Sequence, residues 1–326
     1  MGQRGSIPPG FQIAIFGDKT YETRDWVGVL MEAIERRSRS IEDVILQDDR
    51  RGISALRPYL PFNFCEQAAQ FVLKQSGVVL IATGFYIIYA GMPETDGPPG
   101  ALIIGGALAK LGFSVYYVTD RFTAPLMNSL VGDSKQIVTF PIADDNTSHE
   151  YALTLLNQFQ PSLLISIERC GLNSQGTYLN IRGEDISKYN ARLDHLFRLH
   201  EQTIGIGDGG GEIGMGNLAE IIPNFPGLSK RPSVTRVSFP IIASVSNWGG
   251  YGLVASLSLL TGHHLLPSVE EEQDLIRRTV TCGAVDSFAG TQTPGVDGFS
   301  LSENSRILRD LHQILKAKSC ADLDGC

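Results

Sequence analysis

Short apolar runs alternate with longer amphipathic segments from about residue 77 onward, which predicts strands separated by helices. Six of the runs are short, mainly apolar and bounded by turn residues, as parallel strands buried on both faces should be. The strand candidates are Val78–Thr83, Val115–Thr119, Ile137–Phe140, Leu163–Ile167, Thr203–Ile206 and Val237–Ile242.

The segments between and after these runs have apolar residues at helical spacing. Strand–helix alternation at this spacing predicts an α/β fold, with a mostly parallel Rossmann-like sheet and helices on both faces. The helix candidates are Gly100–Leu111, Ala124–Leu130, His149–Phe159, Tyr189–His200, Met215–Ile222, Gly252–Leu260, Val269–Thr281 and Ser302–Ala317.

The N-terminal quarter of the chain has a different pattern, with helical spacing around Trp26–Ile34 and again in Ile41–Gln47 and Phe64–Gln75. The first residues are rich in Gly and Pro and predict a loose arm. The predicted organisation is a flexible arm at 1–21, a single α/β domain at 22–318 whose part 22–76 is helical, and a tail at 319–326.

Composition narrows the classes of partner. The chain has 326 residues, 27 basic and 35 acidic, and a net charge of −8. Without a basic cluster interleaved with aromatic residues we expect no nucleic-acid partner, and without a long apolar run we expect no membrane partner. The five scattered cysteines and the polar N-terminus predict a reducing, cytoplasmic location.

The segment from Gly205 to Asn217 is the most informative part of the sequence, because it contains seven glycines around Asp208 and Glu212. Glycine inside a regular element costs roughly 0.5–1 kcal/mol relative to alanine. So many glycines after a β-branched run therefore predict a loop that approaches a small-molecule ligand.

Several strand candidates end in polar residues. These are Thr83–Gly84, Thr119–Asp120, Glu168–Arg169 and Asp208. Ligands of open parallel sheets bind beyond the carboxyl ends of the strands, so these groups are expected to share one edge of the sheet. Strand-end loops are polar in any case, and each carboxylate taken alone fits a turn residue equally well.

The segment Gly97–Gly100 leads into an apolar helix candidate, with Asp96 or a neighbour as a cap and prolines in the first turn. Free N–H groups at a helix start favour an anion such as a carboxylate or phosphate. A well-capped helix after a rigid loop explains the same residues equally well.

A dinucleotide fingerprint is present only formally. Gly205, Gly207 and Gly210 have the required spacing, but no Asp or Glu follows between Ile221 and Val245 to bind a ribose. The preceding strand is also a late one. We therefore expect no NAD.

Other polar groups receive less weight. His263–His264 favours a loop or helix end over a metal site, and Cys170 favours a buried thiol over a nucleophile. Asn247–Gly252 predicts a strand-end loop that supplies an amide hydrogen bond, or a turn packed by Trp248. Asp286 and Asp297, in glycine-rich loops, rank below the other carboxylates.

Six motifs together resemble the D-glutamate cyclase C-terminal-like domain family, from about Ile41 to about Leu315. The resemblance implies a lyase that converts D-glutamate to 5-oxo-D-proline and water. The eukaryotic cyclase carries an additional N-terminal domain. The motifs are Ile81–Phe85, Pro93–Ala101, Val118–Asp120, Ile167–Gly171, Gly207–Asn217 and Ser246–Gly250.

That reaction needs a base, an acid or metal ion, and donors for the developing charge. Asp208 and Glu168 are the leading acid and base candidates, or ligands of Mg²⁺ or Mn²⁺; Glu212 is the third catalytic candidate and Asp120 the third metal candidate. The expected substrate-binding residues are Thr83, Gly84, Glu94, Asp96, Gly97, Gly100, Arg169, Gly209, Gly210, Gly211, Asn217 and Asn247.

Within that set, the N–H groups of Gly209–Gly211 are expected to form the oxyanion site. The helix start at Gly97–Gly100 and Arg169 are expected to hold a substrate carboxylate, while Thr83 and Asn247 orient the amine.

Two other classes of function remain open from the residues. One is a metal-dependent hydrolase or lyase of another small amino or hydroxy acid, which the same carboxylates would serve. The other is a non-catalytic binder of a small carboxylate or phosphate. The expected partner is a small-molecule carboxylate substrate, and a homo-oligomer is compatible with the sequence.

Overall fold

The computed structural model describes residues 39–323, with side chains through residue 318. The described part belongs to one compact unit that begins at Arg39. The predicted arm at 1–21 and the predicted helix around Trp26–Ile34 lie outside the described residues. None of the helices in the described part is both long and apolar enough to cross a membrane.

Six strands form a central sheet in which every neighbouring pair is parallel. Its order is β5-β4-β1-β6-β7-β8, and β2–β3 and β9–β10 are two small antiparallel pairs. The α/β fold with a parallel sheet is thus confirmed. The strands are β1 (Val78–Thr83), β2 (Tyr86–Ile87), β3 (Met92–Pro93), β4 (Ser114–Thr119), β5 (Ile137–Thr139), β6 (Leu163–Ile167), β7 (Thr203–Gly207), β8 (Phe239–Ile242), β9 (Gly295–Val296) and β10 (Phe299–Ser300).

The helices follow the predicted alternation except between β7 and β8, where the chain forms only 3₁₀ helices. They are α1 (Ile41–Ile45), α2 (Phe64–Val72), α3 (Pro98–Lys110), α4 (Ala124–Val131), α5 (Asp145–Phe159), α6 (Asp194–Leu199), α7 (Ser246–Thr261), α8 (Val269–Thr281) and α9 (Leu301–Leu323). Short 3₁₀ helices occupy Ile53–Tyr59, Ser134–Gln136, Ser187–Tyr189, Met215–Leu218 and Ile222–Asn224.

Strand β1 shows why both faces of the sheet carry helices. Val79 and Ile81 point into a large core with α3 and α7, whereas Leu80 and Ala82 point into a second core with α5 and α6. Because successive strand residues face opposite sides, a strand that is apolar at every position must be covered on both.

The strand order reverses between β1 and β6, since the chain leaves these adjacent strands toward opposite edges of the sheet. A crevice opens at such a switch point, beyond the carboxyl ends of the two strands, and ligands of doubly wound sheets bind there. The fold therefore places the ends of β1 and β6, at Thr83 and Ile167, beside the expected site.

Helix α7 differs from its prediction, because it begins at Ser246 and not at Gly252. The Asn247–Gly252 segment is its first turns, not a strand-end loop. The side chain of Asp96 accepts hydrogen bonds from the N–H groups of Ser246 and Asn247, which stabilises a helix start that glycines would otherwise disfavour.

The predicted helix Met215–Ile222 is wrong. The segment forms two separate 3₁₀ helices, Met215–Leu218 and Ile222–Asn224. Gly214, with φ +104°, turns the chain, and Gly216 lies so close to the backbone of Val234 that a Cβ atom there would come within 2.5 Å of it. This tight packing takes the place of a regular helix.

Candidate functional site

Two adjacent strands deliver the central carboxylates. Glu168 follows β6 and Asp208 follows β7, and both are buried. Glu168 has φ +42°, a conformation that costs a non-glycine residue about 1–3 kcal/mol and is common at functional positions. The hydroxyl of Ser246, at the start of α7, donates a 2.6 Å hydrogen bond to Oε2 of Glu168 and fixes its carboxylate.

The glycine-rich loop after β7 places Glu212 next to Glu168 and Asp208. The Oε2 atom of Glu212 accepts hydrogen bonds from the N–H of Gly210 at 2.9 Å and of Gly209 at 3.4 Å. A Cβ atom on Gly207 would lie 2.6 Å from that oxygen, so the end of β7 must be glycine for Glu212 to fit. The loop glycines therefore position a carboxylate, and two of the predicted oxyanion donors already bind it.

The carboxylates form two overlapping groups. One oxygen from each of Glu168, Asp208 and Glu212 lies within 4.8 Å of the others, and Asp96, Asp208 and Asp297 meet in the same way. Asp208 belongs to both groups, and all five side chains are buried. So many buried carboxylates at this spacing require protons or cations to balance their charge.

Arg51 supplies one such cation. It lies in the turn after α1 and donates from one nitrogen both to Asp208 and to Oδ2 of Asp297, the latter at 2.7 Å. Asp297 also accepts a 2.5 Å hydrogen bond from the hydroxyl of Ser287. A single guanidinium thus bridges two of the carboxylates, and within residues 39–318 the other three have no ion pair.

Burial and mutual repulsion set the protonation of these groups. Burial raises the pKa of Glu168 well above its usual value, and the charges of Asp208 and Glu212 raise it further. Burial also raises the pKa of Asp208, although Arg51 opposes it. At Asp297 burial acts in the same direction, but Arg51 and the hydrogen bonds outweigh it and hold the pKa below its usual value.

Asp96 and Asn247 join two helix starts. Asp96 caps α7, accepting from the N–H of Ser246 at 2.9 Å and of Asn247 at 2.8 Å. Asn247 Oδ1 in turn caps α3, accepting from the N–H of Gly97 at 3.0 Å and of Gly100 at 2.8 Å. Burial, with the nearby charge of Asp297, raises the pKa of Asp96 to about 8, against the two N–H donors.

This exchange of caps alters the expected anion site at Gly97–Gly100. The N–H groups of Gly97 and Gly100 already donate hydrogen bonds to Asn247. The alternative interpretation, a well-capped helix without an anion site, therefore describes this segment. The structure also assigns Asn247 a capping position, with its Nδ2 donating to the carbonyl of Thr95 at 3.1 Å.

Asp120 and Arg169 also differ from their predicted roles. Their side chains form a 2.7 Å ion pair and are 2% and 1% exposed, so each neutralises the other inside the fold. Arg169 further donates to the carbonyl of Gly84 at 2.8 Å. Asp120 belongs to neither carboxylate group of the described residues, and neither side chain lines the cavity described next.

A cavity of about 350 Å³ opens above the carboxylates. Glu94, Glu168, Asp208 and Glu212 line its interior and are called the acidic floor below. Gly209 and Gly211, two more predicted site residues, also line it. The remaining lining residues are mostly aromatic, aliphatic or basic, a composition typical of small-molecule sites.

Nine of the twelve predicted binding residues do not line the cavity; besides Asp96, Gly97, Gly100, Arg169, Gly210 and Asn247, these are Asn217, Gly84 and Thr83. The side chain of Asn217 forms two 2.9 Å hydrogen bonds with the backbone of Val237, two residues before β8 begins. The carbonyl of Gly84 is bound by Arg169. Thr83 is fully buried next to Gly97 and Glu168, and within the described part its hydroxyl has no hydrogen-bond partner.

The sequence-based candidates did not include Arg51 and ranked Asp297 below the other carboxylates, whereas the structure places both beside Asp208. Arg51 is one charged residue in a polar turn, and Asp297 precedes a glycine in a short loop, so neither shows a local signal of function. Cys170, by contrast, is the buried thiol that was predicted, and burial raises its pKa. His263–His264 follow the end of α7, as expected of a helix-end pair.

Comparison with known proteins agrees with the motifs. The family model described as "D-glutamate cyclase-like, C-terminal" matches residues 41–312. The mitochondrial D-glutamate cyclase of Homo sapiens is 30% identical over 251 residues, which cover 69% of this chain and 39% of that protein. The chain thus matches well under half the length of this relative, and it belongs to the D-glutamate cyclase-like, C-terminal family.

Proposed function

We propose that this chain is a D-glutamate cyclase-like lyase that converts D-glutamate to 5-oxo-D-proline and water. The observation that carries the proposal is the acidic floor, with Glu168, Asp208 and Glu212 within 4.8 Å of one another beneath a cavity at the switch point of the sheet. The similarity to a protein named D-glutamate cyclase supports the choice of substrate.

The chemistry sets clear demands. The amine of D-glutamate must lose a proton before its nitrogen can attack the γ-carbon, and a C–N bond forms as a C–O bond breaks. Two protons leave the nitrogen in all, and both end on the departing oxygen as water. A group that accepts a proton and returns it is therefore needed within reach of both atoms.

The acidic floor divides between two roles. Glu168, Asp208 and Glu212 meet closely enough to share one cation, which favours ligation for them. Glu94 lines the same cavity, and its carboxylate has no hydrogen bond or ion pair with another described residue. We assign the proton transfer to Glu94, whose pKa is raised by burial and by the charges of Asp297 and Asp96.

The residues fit a hard divalent cation such as Mn²⁺ or Mg²⁺, because all the donors are carboxylate oxygens and, in the described part of the chain, Arg51 is the only cation that bridges any of them. Glu168, Asp208 and Glu212 would hold it. When bound, such an ion supplies Lewis-acid polarisation of the γ-carboxylate. Ser246 keeps Glu168 in place through its 2.6 Å hydrogen bond.

The first test is turnover. The purified chain is incubated with D-glutamate, with and without Mn²⁺, and 5-oxoproline is measured by chiral detection against a protein-free control. We expect Mn²⁺-dependent formation of the D-product and little from L-glutamate. Folded protein that forms no product under either condition would contradict the proposal and favour another small acid, or a binder that returns its ligand unchanged.

The two roles are separated by variants. Glu94→Gln should reduce kcat by about 10²–10⁴-fold and leave Mn²⁺ affinity intact, because it removes only the proton acceptor. Asp208→Asn should lose both turnover and Mn²⁺ affinity. Glu272→Gln, which changes a buried carboxylate outside the cavity, is the matched control and should keep both. Full activity in Glu94→Gln would refute this assignment.

A further inference from the structure

The mouth of the cavity differs in character from its acidic floor. Tyr89, Ile181 and Phe288 line it and are 49%, 49% and 50% exposed, although each is a large apolar or aromatic side chain. Arg182 lies among them. The mouth thus combines apolar surface with positive charge, whereas the floor is anionic.

Among the described residues, Arg182 is the cavity-lining arginine whose guanidinium has neither a hydrogen bond nor an ion pair. Of the three arginines that line the cavity, Arg51 binds two carboxylates and Arg50 donates to the carbonyl of Asp297 at 3.1 Å. The Arg182 guanidinium has no ion pair or hydrogen bond with the described residues; it lies over the ring of Tyr89, 4.8 Å from the centroid. Its donors are therefore available to a ligand.

The position of Arg182 is defined by its neighbours. Asn180 Oδ1 accepts hydrogen bonds from the N–H groups of Arg182 and Glu184, both at 3.0 Å, and closes the turn. Tyr89, beneath the guanidinium, donates its hydroxyl hydrogen to the carbonyl of Ser287. A cation over an aromatic face is held by about 0.5–1 kcal/mol at an exposed site, enough to orient it without fixing it.

Tyr89 is affected by charges at both the mouth and the acidic floor of the cavity. Burial raises the pKa of its phenol, the charge of Arg182 lowers it, and the charge of Glu94 raises it. One phenol thus lies within electrostatic range of both a cation at the mouth and a carboxylate of the floor.

A dicarboxylate substrate needs such a cation. The floor repels a second substrate carboxylate, Arg169 is already paired with Asp120, and the N–H groups of Gly97 and Gly100 are bonded to Asn247. Arg50 donates to the carbonyl of Asp297, and its guanidinium lies 3.7 Å from the ring centroid of Phe299. Arg182 is therefore the lining arginine whose guanidinium donors are all unoccupied among the described residues, and it can bind a carboxylate with two parallel N–H donors.

We propose that Arg182 binds the non-reacting carboxylate of the substrate, and that Tyr89 is a positioning residue that orients its guanidinium. The inference rests on the proposed function for the identity of that substrate, D-glutamate, whose α-carboxylate does not react. It makes Arg182 the residue that selects dicarboxylates over monocarboxylates.

The test measures binding with ligands that cannot cyclise. Glutarate has two carboxylates and butyrate one, and both are titrated calorimetrically into the full chain in the presence of Mn²⁺. Arg182→Met should weaken glutarate binding at least about tenfold, Arg182→Lys less, and neither should change butyrate binding. Arg121→Met is the matched control, since Arg121 also lies over an aromatic ring, that of Phe122, but outside the cavity.

The outcomes separate this inference from the proposed function. Equal glutarate affinity in the wild type and Arg182→Met, or an equal loss for butyrate, would overturn the role of Arg182. A wild type that binds glutarate through Arg182 but does not cyclise D-glutamate would overturn the cyclase proposal alone. In an active enzyme, Arg182→Met should raise KM with kcat nearly unchanged.

Discussion

At several positions of the site, the space that neighbouring atoms leave determines which residue type can fit. Gly207 is the sharpest case, because a Cβ atom there would lie 2.6 Å from Oε2 and 2.9 Å from Cβ of Glu212. Gly207→Ala should therefore displace the Glu212 carboxylate from Gly210 and weaken Mn²⁺ binding and turnover. Steady-state kinetics and Mn²⁺ titration of the purified variant measure the effect.

Gly106→Ala is the control for that substitution. Gly106 lies exposed within α3, and a Cβ atom there meets nothing within 4 Å. Its replacement should leave activity unchanged and stabilise the fold by about 0.5–1 kcal/mol, because alanine has the higher helix propensity. A Gly207→Ala enzyme as active as Gly106→Ala would show that Glu212 tolerates displacement.

Between elements, the exchange of caps by Asp96 and Asn247 ties α3 to α7 beneath the acidic floor. Asn247→Ala leaves the buried N–H groups of Gly97 and Gly100 without their acceptor. Each unsatisfied buried donor costs about 1–3 kcal/mol, so the loss of an acceptor for two of them should lower the free energy of unfolding by about 2–6 kcal/mol. Urea denaturation followed by circular dichroism measures it.

Asn247→Asp provides a graded comparison. It keeps an oxygen acceptor for Gly97 and Gly100 but loses the donor to Thr95, so its stability should lie between those of the wild type and Asn247→Ala. If Asn247→Asp were the least stable of the three, repulsion from the neighbouring carboxylates would outweigh the caps.

Helices α7, α8 and α9 meet at a second buried carboxylate, Glu272. Tyr251 and Ser305 donate hydrogen bonds to it at 3.4 and 3.2 Å. Burial raises its pKa from 4.5 to about 7, against these hydrogen bonds and the charges of Arg309 and Arg277. The folded state thus favours the protonated form, and this contribution is complete below about pH 4.5 and lost as pH rises through 7.

Glu272→Gln should remove that pH dependence. A tenfold change in an equilibrium is about 1.4 kcal/mol, so ionisation of Glu272 costs the folded wild type about 3 kcal/mol at alkaline pH. The wild type should lose about that much stability relative to Glu272→Gln between pH 4.5 and 8, measured by urea denaturation across this range. Parallel pH profiles for the two proteins would contradict the shifted pKa.

At the scale of the whole molecule, the proposed cation should stabilise the folded state, because its ligands follow β6 and β7 and come together only when the sheet has formed. A ligand that binds only the folded state adds about 2.7 kcal/mol at a concentration of 100 times its Kd. Saturating Mn²⁺ should therefore raise the melting temperature of the wild type, and a chelator should reverse the rise. Differential scanning calorimetry measures both.

The Asp208→Asn protein is the comparison for that experiment, because Asp208 belongs to both carboxylate groups. It should show little or no Mn²⁺-dependent rise. An equal rise in the variant would locate the binding elsewhere on the chain.

The order of elements was within reach of the sequence, because it depends on short-range periodicity. Apolar runs bounded by turn residues predict all six strands of the sheet, with the observed bounds at Val78–Thr83 and Leu163–Ile167. Helical spacing of apolar residues predicts most of the helices between them. The family was predictable from its motifs, and Glu168 and Asp208 of the acidic floor were predictable because they follow neighbouring parallel strands, whose carboxyl ends share one edge of the sheet. Failures such as the Met215–Ile222 helix arose where close backbone packing overrode local propensity.

Only the tertiary structure decided which charged and polar side chains pair with one another. Arg51 meets Asp208 across 157 positions and Asp297 across 246, and Asn247 reaches Gly100 across 147. Local sequence carries no trace of such pairs, because they depend on how packed elements bring distant loops together. The same packing pairs Arg169 with Asp120, whereas Arg182, at the cavity mouth, has no ion pair with any described residue; the sequence alone could not distinguish these two arginines.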